Sequence, residues 1–373
     1  MALFDPKMTV GIAGAGSIAF ATAAWLEQNG HHAVLWSPSG RRTAALADGA
    51  PLTAKNAVQG TFHPGIAADA ESLVQMSDVI VIALPGYGHQ AVLDALAPHL
   101  RADQAVIFSS HASFGALYLG TALAARGITV PLIAWGTTLA TARQGEDLTS
   151  VNVNTVRSKI DLATTPEALS DTGLRLCTAL FGDRFVARDS LLAIAVSNLN
   201  PQNHMGIALC NMTRMEHGET SGQGANVTPN VGRLLEALDA ERLAIAEALG
   251  LQVRTIFDHY HLSYHVPRDS IAEMNRQMHE QGIGGTGPAS ADSRYATEDV
   301  PFGLHVTAVL GDLVGRPATL HRAGVQIFSA LYGRDFASEN TLLSEMGLDA
   351  LDLDQLREAC RTGAMPAQQY ISA

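Results

Sequence analysis

Two polar stretches in the second half of the chain contain the side chains best suited to proton transfer and anion binding. Residues 198–204 (NLNPQNH) end in His204, and residues 293–304 contain Arg294 and, just ahead of a proline, Asp299. An imidazole titrates near pH ~6.5 and can move a proton near neutrality, while a guanidinium binds a carboxylate through two parallel hydrogen bonds. Taken alone, Asp299 also fits a helix N-cap and His204 a surface or satisfied interior histidine. Spacing by itself does not join the two residues.

A glycine-rich turn near the N-terminus has the form of a phosphate-binding loop. It follows a short apolar run at 9–13, opens an alanine-rich helical stretch at 17–29, and is followed by a second apolar run at 33–36. In this strand, helix, strand order the glycines let the backbone approach a pyrophosphate, and the helix N-terminus stabilises its charge. A turn without a ligand is the alternative, but the context favours a dinucleotide site. The predicted contacts come from the glycines and the first helical turn, at Gly14, Gly16, Ser17, Ile18 and Ala19.

The end of the second predicted strand bears on the choice of cofactor. Ser37 stands where an NAD site usually has Asp or Glu, and Arg41 and Arg42 follow a few residues later. A hydroxyl and two guanidiniums would hold a 2′-phosphate that a carboxylate would repel. We therefore expect NADP(H) to be preferred and NAD(H) to remain usable, the alternative being that the two arginines start a solvated helix. Leu84 and Pro85, where a later buried strand opens into a loop, are the remaining predicted cofactor contacts.

The first half alternates buried apolar runs with helical segments. This pattern predicts an α/β N-terminal Rossmann domain that is doubly wound around a mostly parallel sheet. Ligands bind at the carboxyl ends of the strands in such sheets, so Ser110, His111 and Thr137 are predicted substrate contacts, with ordinary loop residues as the alternative. The later strand-like runs lie at 78–84, 105–108 and 132–135.

After about residue 190 the pattern changes to helical periodicity, with apolar residues three and four apart. No comparable series of strand-like runs occurs there, so we expect an all-α C-terminal domain. The predicted division is a dinucleotide-binding domain at 1–190 and a helical substrate and catalytic domain at 191–373. The clearest helical stretches lie at 228–249, 270–281, 304–313 and 317–331.

Composition excludes several classes of function. The formal net charge of −12 disfavours binding to nucleic acid or to anionic membranes. The three cysteines, Cys177, Cys210 and Cys360, are far apart, so neither a disulfide framework nor a metal site is expected. We find no signal peptide and no apolar run long enough for a membrane span, and expect a cytoplasmic protein.

The chain resembles the opine dehydrogenases, the NAD/NADP octopine/nopaline dehydrogenase family. The resemblance covers most of the chain and is carried by the N-terminal G-x-G-x-x-A, the Asn-Pro-x-x-His segment, residues 239–251 of the long helix and, most specifically, residues 294–301. It implies a Rossmann domain joined to a helical domain, and small-molecule substrates: the amine of an amino acid and a 2-oxo acid, whose imine is reduced by a nicotinamide cofactor. It further implies that His204 is the catalytic histidine, Asp299 its paired carboxylate and Arg294 a contact to a substrate carboxylate. A homodimer is compatible with it.

Two alternatives stay open at this stage. A two-domain carbonyl reductase of the 2-dehydropantoate reductase or glycerol-3-phosphate dehydrogenase type would employ a lysine near the hydride acceptor. Lysine occurs only at Lys7, Lys55 and Lys159, none in a convincing catalytic setting. A catalytically silent NADP-binding sensor is the second alternative, but it would need no combination of His204, Arg294 and Asp299.

Overall fold

Short runs of apolar, often β-branched residues form the strands of the first half, as their periodicity predicts. The computed structural model describes residues 7–366. Its strands are β1 (Thr9–Ala13), β2 (His32–Trp36), β3 (Leu52–Asn56), β4 (Gly60–Phe62), β5 (Gly65–Ile66), β6 (Val79–Ile82), β7 (Ala105–Phe108), β8 (Leu132–Trp135), β9 (Ala140–Gln144), β10 (Ser150–Val156), β11 (Ile160–Thr165) and β12 (Phe185–Ala187). The helices among them are α1 (Ser17–Gln28), α2 (Ala44–Ala47), α3 (Ala70–Gln75), α4 (His89–Leu96), α5 (Gly115–Ala125) and α6 (Ser170–Phe181).

The larger sheet has the strand order β12-β11-β8-β7-β6-β1-β2-β5. From β5 to β8 every neighbouring pair is parallel, and only the β11 to β8 pairing is antiparallel. The order reverses at β1, whose last residue, Ala13, pairs with Trp36 of β2 on one side and Ile82 of β6 on the other. The predicted doubly wound, mostly parallel sheet is therefore confirmed, and its ligand-binding edge lies beyond Ala13.

A second, smaller sheet with the order β4-β3-β10-β9 was not expected from the sequence. Its strands are short or rich in polar residues, so they carry little strand signal. Helix α1 packs against strands of both sheets, which is why its alanine-rich sequence is apolar on nearly all sides. The buried side chains of α1 are Ala19, Phe20, Ala21, Thr22, Ala23, Ala24 and Leu26.

The second half is helical, as predicted, and several of its helices contribute to two clusters of apolar side chains. The elements are α7 (Leu191–Ser197), α8 (Asn200–Cys210), α9 (Met212–Glu216), α10 (Pro229–Ala248), α11 (Ile256–Tyr264), α12 (Ile271–Glu280), α13 (Arg294–Thr297), a π-helix (Val300–Leu304), α14 (His305–Leu313), α15 (Thr319–Tyr332), α16 (Thr341–Met346) and α17 (Leu353–Thr362). Among the helices within residues 7–366, none has both the length and the hydropathy needed to cross a bilayer.

The chain divides into two compact units whose limits differ from the sequence-based division. The first unit comprises the described residues of Met1–Ile194 and Asp354–Ala373, and the second comprises Ala195–Leu353. The prediction had assigned the end of the chain to the helical domain. Instead, Thr165 of β11 donates a side-chain hydrogen bond to the carbonyl oxygen of Cys360 in α17 at 2.7 Å, and the backbone N–H of Met365 donates to the Thr121 hydroxyl at 2.9 Å. Local sequence patterns do not show which unit covers the apolar face of α17.

Two buried histidines lie beyond the ends of neighbouring parallel strands, His89 after β6 and His111 after β7. His89 Nε2 donates to the carbonyl oxygen of Leu84 at 3.1 Å, and His111 Nε2 accepts from the Ala116 backbone N–H at 3.5 Å. Burial lowers the pKa of His89 to about 4. Burial, and secondarily the neighbouring His89, lower the pKa of His111 to about 3. Both imidazoles are therefore neutral in the folded protein at neutral pH.

We expect His89 to make the folded state progressively less stable below neutral pH. In the unfolded chain an imidazole takes up a proton near pH ~6.5, whereas folded His89 does so only at about 4, so stability present above pH ~6.5 is lost as the pH falls. His89→Gln keeps a donor for the Leu84 carbonyl but does not titrate. Its unfolding free energy should therefore fall by about 1.4 kcal/mol less per pH unit than that of the wild type between pH ~6 and ~4.5. Urea unfolding at a series of pH values measures this difference, and equal slopes would contradict it.

Candidate functional site

The glycine-rich turn follows β1, and at Gly14 it contacts the backbone at the ends of β2 and β6. The Gly14 N–H donates to the Trp36 carbonyl oxygen at 2.8 Å, and its φ of +141° is one that side-chain-bearing residues rarely adopt. A Cβ built at Gly14 would lie 2.2 Å from the carbonyl oxygen of Ala83. Only glycine fits here, because the strand-to-helix turn passes directly against the backbone that follows β6.

Helix α1 begins immediately after this turn with its first-turn N–H groups uncapped. Gly16 is the N-cap residue, and no side chain of the described residues accepts a hydrogen bond from this end of the helix. A Cβ at Gly16 would meet nothing within 4 Å, so the space in front of the helix is open. The predicted contacts Ser17, Ile18 and Ala19 form this first turn. The arrangement suits a pyrophosphate, which needs free N–H donors and close approach to the backbone.

The predicted ribose-side residues lie at the turn that follows β2. Ser37 accepts a backbone hydrogen bond from Gly40 at 2.9 Å, which closes the turn ahead of Arg41 and Arg42. The Arg42 guanidinium lies over the ring of Phe20 of α1, 5.7 Å from its centroid. Its Nε and Nη2 atoms are buried and have no hydrogen-bond partner among residues 7–366. A cation with unused donors is thus held beside the phosphate-binding helix, which fits the phosphate of a dinucleotide.

The other predicted contacts of the first unit follow the carboxyl ends of its strands. Leu84 and Pro85 come after β6, and Pro85 precedes a 3₁₀ turn at Gly86–Gly88. Ser110 follows β7 in a left-handed conformation with a φ of +71°, and Thr137 follows β8. Both are half-buried.

The same edge contains unpartnered polar atoms that sequence reasoning did not single out. Ser109 Oγ, His89 Nδ1 and His111 Nδ1 are buried without a hydrogen-bond partner in the described part of the chain. Only His111 of these three had been considered from the sequence, because burial of polar atoms is a tertiary property.

In the second unit, His204 and Asp299 are brought together from positions 95 residues apart. His204 Nδ1 lies 2.7 Å from Asp299 Oδ2, and the two side chains are 9% and 12% exposed. An ionised carboxylate can only accept, so Nδ1 carries the proton and Nε2 is the free acid–base position. Nε2 makes no hydrogen bond to the residues that the structure describes.

Asp299 lies next to an unusual stretch of backbone. It lies between the short helix α13 and the π-helix Val300–Leu304, at the N-cap position of the latter. Its side chain makes no capping hydrogen bond within the described structure. π-Helices are rare and are often found at functional sites. This one packs closely on α8, since a Cβ at Gly303 would lie 2.2 Å from Pro201.

A buried ion pair holds helix α8, which carries His204. The side chains of Asp239 and Arg242 in α10 are each 2% exposed, and Asp239 Oδ1 lies 2.7 Å from Arg242 Nη2. Asp239 accepts from the Gln202 side chain at 2.9 Å and from the Ile256 backbone N–H at 2.9 Å, while Arg242 donates to the Val196 carbonyl oxygen at 2.6 Å. The pair thus fixes α8 two residues before His204, together with the segments on either side.

Two more side chains complete this site. Arg294, at the start of α13, is exposed, and its guanidinium makes no hydrogen bond or ion pair with the residues of the described structure. Tyr295 stacks on the imidazole of His204, with ring centroids 3.5 Å apart and an angle of 10° between the planes. Sequence reasoning noted Tyr295 only as part of a motif. Its position four residues before Asp299 was the available signal, since residues one helical turn apart share a face.

Two family models and a curated relative match this chain. Residues 187–332 match the family model described as NAD/NADP octopine/nopaline dehydrogenase, alpha-helical domain, and residues 9–110 match that of NADP oxidoreductase coenzyme F420-dependent. The opine dehydrogenase of Arthrobacter sp. (strain 1C) is 29% identical over 354 residues, which are 94% of this chain and 98% of that protein.

Solved structures support the same fold. Octopine dehydrogenase with NADH and L-arginine superposes with a TM-score of 0.73 at 18% identity, over 87% of this chain and 90% of that one. Yersinopine dehydrogenase with NADP⁺ bound gives 0.68 at 16% identity, over 91% and 98%. The helical-domain match and the relative that is similar over nearly its whole length indicate that the chain is an NAD(P)-dependent oxidoreductase acting on CH–NH groups and is similar to the opine dehydrogenases.

Proposed function

We propose that this enzyme condenses the amine of an amino acid with a 2-oxo acid and reduces the resulting imine with NADPH, and that it catalyses the reverse oxidation of the secondary amine. The observation that carries the proposal is the pairing of His204 with Asp299, which leaves Nε2 free for proton transfer. Arg294 lies in the same unit, five residues before Asp299, with its guanidinium unpaired among the described residues.

The proposed role of His204 is to carry protons, one at a time, from the amine nitrogen to the carbonyl oxygen, which needs two of them to leave as water. Nε2 takes a proton from the substrate amine, so that the nitrogen can attack the carbonyl carbon of the oxo acid. The same position delivers this proton to the carbonyl oxygen, which gives a carbinolamine. A second transfer from nitrogen to the hydroxyl group then lets the oxygen leave as water while the C=N bond forms. Asp299 stabilises the imidazolium between these events and keeps the ring in one orientation. The bound nicotinamide cofactor supplies the hydride that reduces the C=N bond.

The proposed role of Arg294 is to bind a substrate carboxylate. Both an amino acid and a 2-oxo acid carry one, and a planar guanidinium can hold it through two hydrogen bonds. In this role Arg294 contributes to substrate affinity and alignment rather than to proton transfer. Ser110 and Thr137 remain proposed substrate contacts on the first unit, and a homodimer remains compatible with the proposal.

The proposed preference for NADPH rests on the turn after β2. Ser37 brings no carboxylate to the ribose side, and the buried, unpartnered Nε and Nη2 of Arg42 are suited to charge-assisted hydrogen bonds with a 2′-phosphate. Both nicotinamide cofactors occur among the structural neighbours, NADH with octopine dehydrogenase and NADP⁺ with yersinopine dehydrogenase.

A simple carbonyl reductase with a catalytic lysine is the less suitable reading. The second unit, residues 195–353, contains no lysine at all. Lys55 belongs to β3 of the smaller sheet, and its Nζ lies 3.3 Å from Glu146 Oε1 on the exposed surface. A catalytically silent NADP-binding sensor would not need the His204–Asp299 pair.

We expect NADPH oxidation to require both an amino acid and a 2-oxo acid. The assay compares single compounds with pairwise mixtures drawn from small apolar, basic and acidic amino acids and short 2-oxo acids, and mass spectrometry identifies the secondary amine. A steady rate with a 2-oxo acid alone, unchanged by every amino acid, would instead indicate a carbonyl reductase. Cofactor binding without turnover in any mixture would favour the sensor.

His204→Gln should lower kcat by roughly 10²- to 10⁴-fold while NADPH binding, measured by fluorescence, is retained. Asp299→Asn should cause a smaller loss, and the double variant should be little worse than His204→Gln alone, because the two residues act as one unit. His321→Gln is the matched control. His321 is also a buried histidine paired with a carboxylate, its Nδ1 lying 2.9 Å from Glu241 Oε2, and its replacement should leave kcat nearly unchanged.

A second comparison separates proton transfer from substrate binding. Arg294→Lys keeps the charge but loses the two-pronged geometry, so it should raise KM for the amino acid or the oxo acid more than KM for NADPH. Near-normal kcat in His204→Gln, or equal losses in His321→Gln, would contradict the assigned roles.

Replacing Ser37 with Asp and both Arg41 and Arg42 with Ala should reverse the cofactor preference. The new carboxylate would repel a 2′-phosphate and accept hydrogen bonds from the ribose hydroxyls of NADH. The ratio of kcat/KM values for NADPH and NADH is the measurement. A wild-type enzyme that is faster with NADH would show that this turn does not select for the phosphate.

A further inference from the structure

The imidazole of His204 is restrained in two directions that are nearly perpendicular. The hydrogen bond from Nδ1 to Asp299 Oδ2 at 2.7 Å lies in the plane of the ring. The ring of Tyr295 covers one face, with centroids 3.5 Å apart and planes 10° from parallel. The carboxylate restrains movement of the ring within its plane, and the aromatic face restrains rotation out of that plane.

Tyr295 is itself held at its far end. Its hydroxyl donates to Gln223 Oε1 at 2.8 Å, and the backbone N–H of Gln223 donates to the carbonyl oxygen of Gly285 at 3.0 Å. At its near end, the Tyr295 N–H donates to the Ser293 hydroxyl at 3.3 Å, at the start of α13. The phenol ring is therefore fixed at both ends before any substrate binds.

We propose that Tyr295, tethered by Gln223, is a positioning residue that sets the plane of the His204 ring and stabilises its protonated form. The inference rests on the proposed acid–base role of His204. Neither residue need touch the substrate for this effect.

The chemistry explains why such a residue would matter. When Nε2 takes a proton the ring becomes a cation, and the negative face of an aromatic ring attracts a cation placed over it. Donation of the phenol proton to Gln223 leaves the ring face toward His204 unobstructed. Rotation of the imidazole would also break the bond to Asp299 and misdirect Nε2, and small errors of alignment are costly in catalysis.

The first test compares Tyr295→Leu with Tyr295→Phe. Leucine fills similar apolar space without an aromatic face, and should lower kcat by about tenfold with little change in KM for NADPH. It should also move the acidic limb of the kcat profile to lower pH, because the imidazolium loses its partner. Phenylalanine keeps the face but loses the tether, and should retain kcat within about threefold and the wild-type pH profile.

Tyr332→Leu is the matched control. Tyr332 is another half-buried tyrosine of the second unit, with its hydroxyl donating to the Ala291 carbonyl oxygen at 2.6 Å and its ring packed 5.5 Å from that of Phe336. Its replacement should affect stability but not the pH profile. If Tyr295→Leu and Tyr332→Leu both show wild-type profiles and similar kcat values, Tyr295 has only a structural role and the inference is wrong.

A readout that does not need turnover separates this inference from the proposed function. The NMR signal of the His204 ring, assigned by its absence in His204→Gln, is followed as a function of pH in each variant. Its titration midpoint should be lower in Tyr295→Leu than in the wild type and unchanged in Tyr295→Phe. Absence of opine formation by the wild type would refute the proposed function alone, whereas an unchanged midpoint in Tyr295→Leu would refute the positioning role alone.

Discussion

The second unit depends on the buried ion pair between Asp239 and Arg242. Removing two charges from water is costly, and the cost is offset only when the remaining donors and acceptors are satisfied. Here the two side chains bind the end of α7 at Val196, the start of α11 at Ile256, and Gln202 of α8. Removing either partner would leave an uncompensated buried charge, with a penalty of about 3–5 kcal/mol. Through this pair, the part of α10 that contains Asp239 and Arg242 supports α8, the helix that carries His204.

The first unit has an analogous constraint in helix α1, which is covered by strands of both sheets. Small side chains let the helix approach these strands closely, and the tight turn at Gly14 fixes where its N-terminus begins. Because the rest of the helix is buried, the N–H groups of its first turn are fixed in position. A phosphate-binding end can remain open to solvent because the other face of the element contributes the packing energy.

The His204–Asp299 pair lies beside an irregular stretch of helix. The π-helix at Val300–Leu304 begins directly after Asp299, and it brings Gly303 against Pro201 of α8. One short segment thus supplies the guanidinium of Arg294, the aromatic face of Tyr295 and the carboxylate of Asp299. Such compactness explains why this stretch also carries the most specific part of the family resemblance.

The sequence by itself determined the features that depend on local order. Apolar runs and glycines predicted β1, β7 and β8 at their observed limits, and the helical periodicity predicted α10 and α12 to within a residue or two at each end. The smaller sheet escaped prediction because its strands β3, β4, β9 and β10 gain their stability from pairing and from contact with α1, which short-range patterns do not encode. Likewise, the residue types at 204 and 299 allowed acid–base chemistry, but taken alone they also fitted a surface or satisfied interior histidine at 204 and a helix N-cap at 299. Only the tertiary structure shows that His204 lies 2.7 Å from Asp299 and that Tyr295 covers its face, because burial and contact across 95 residues are properties of the packed chain.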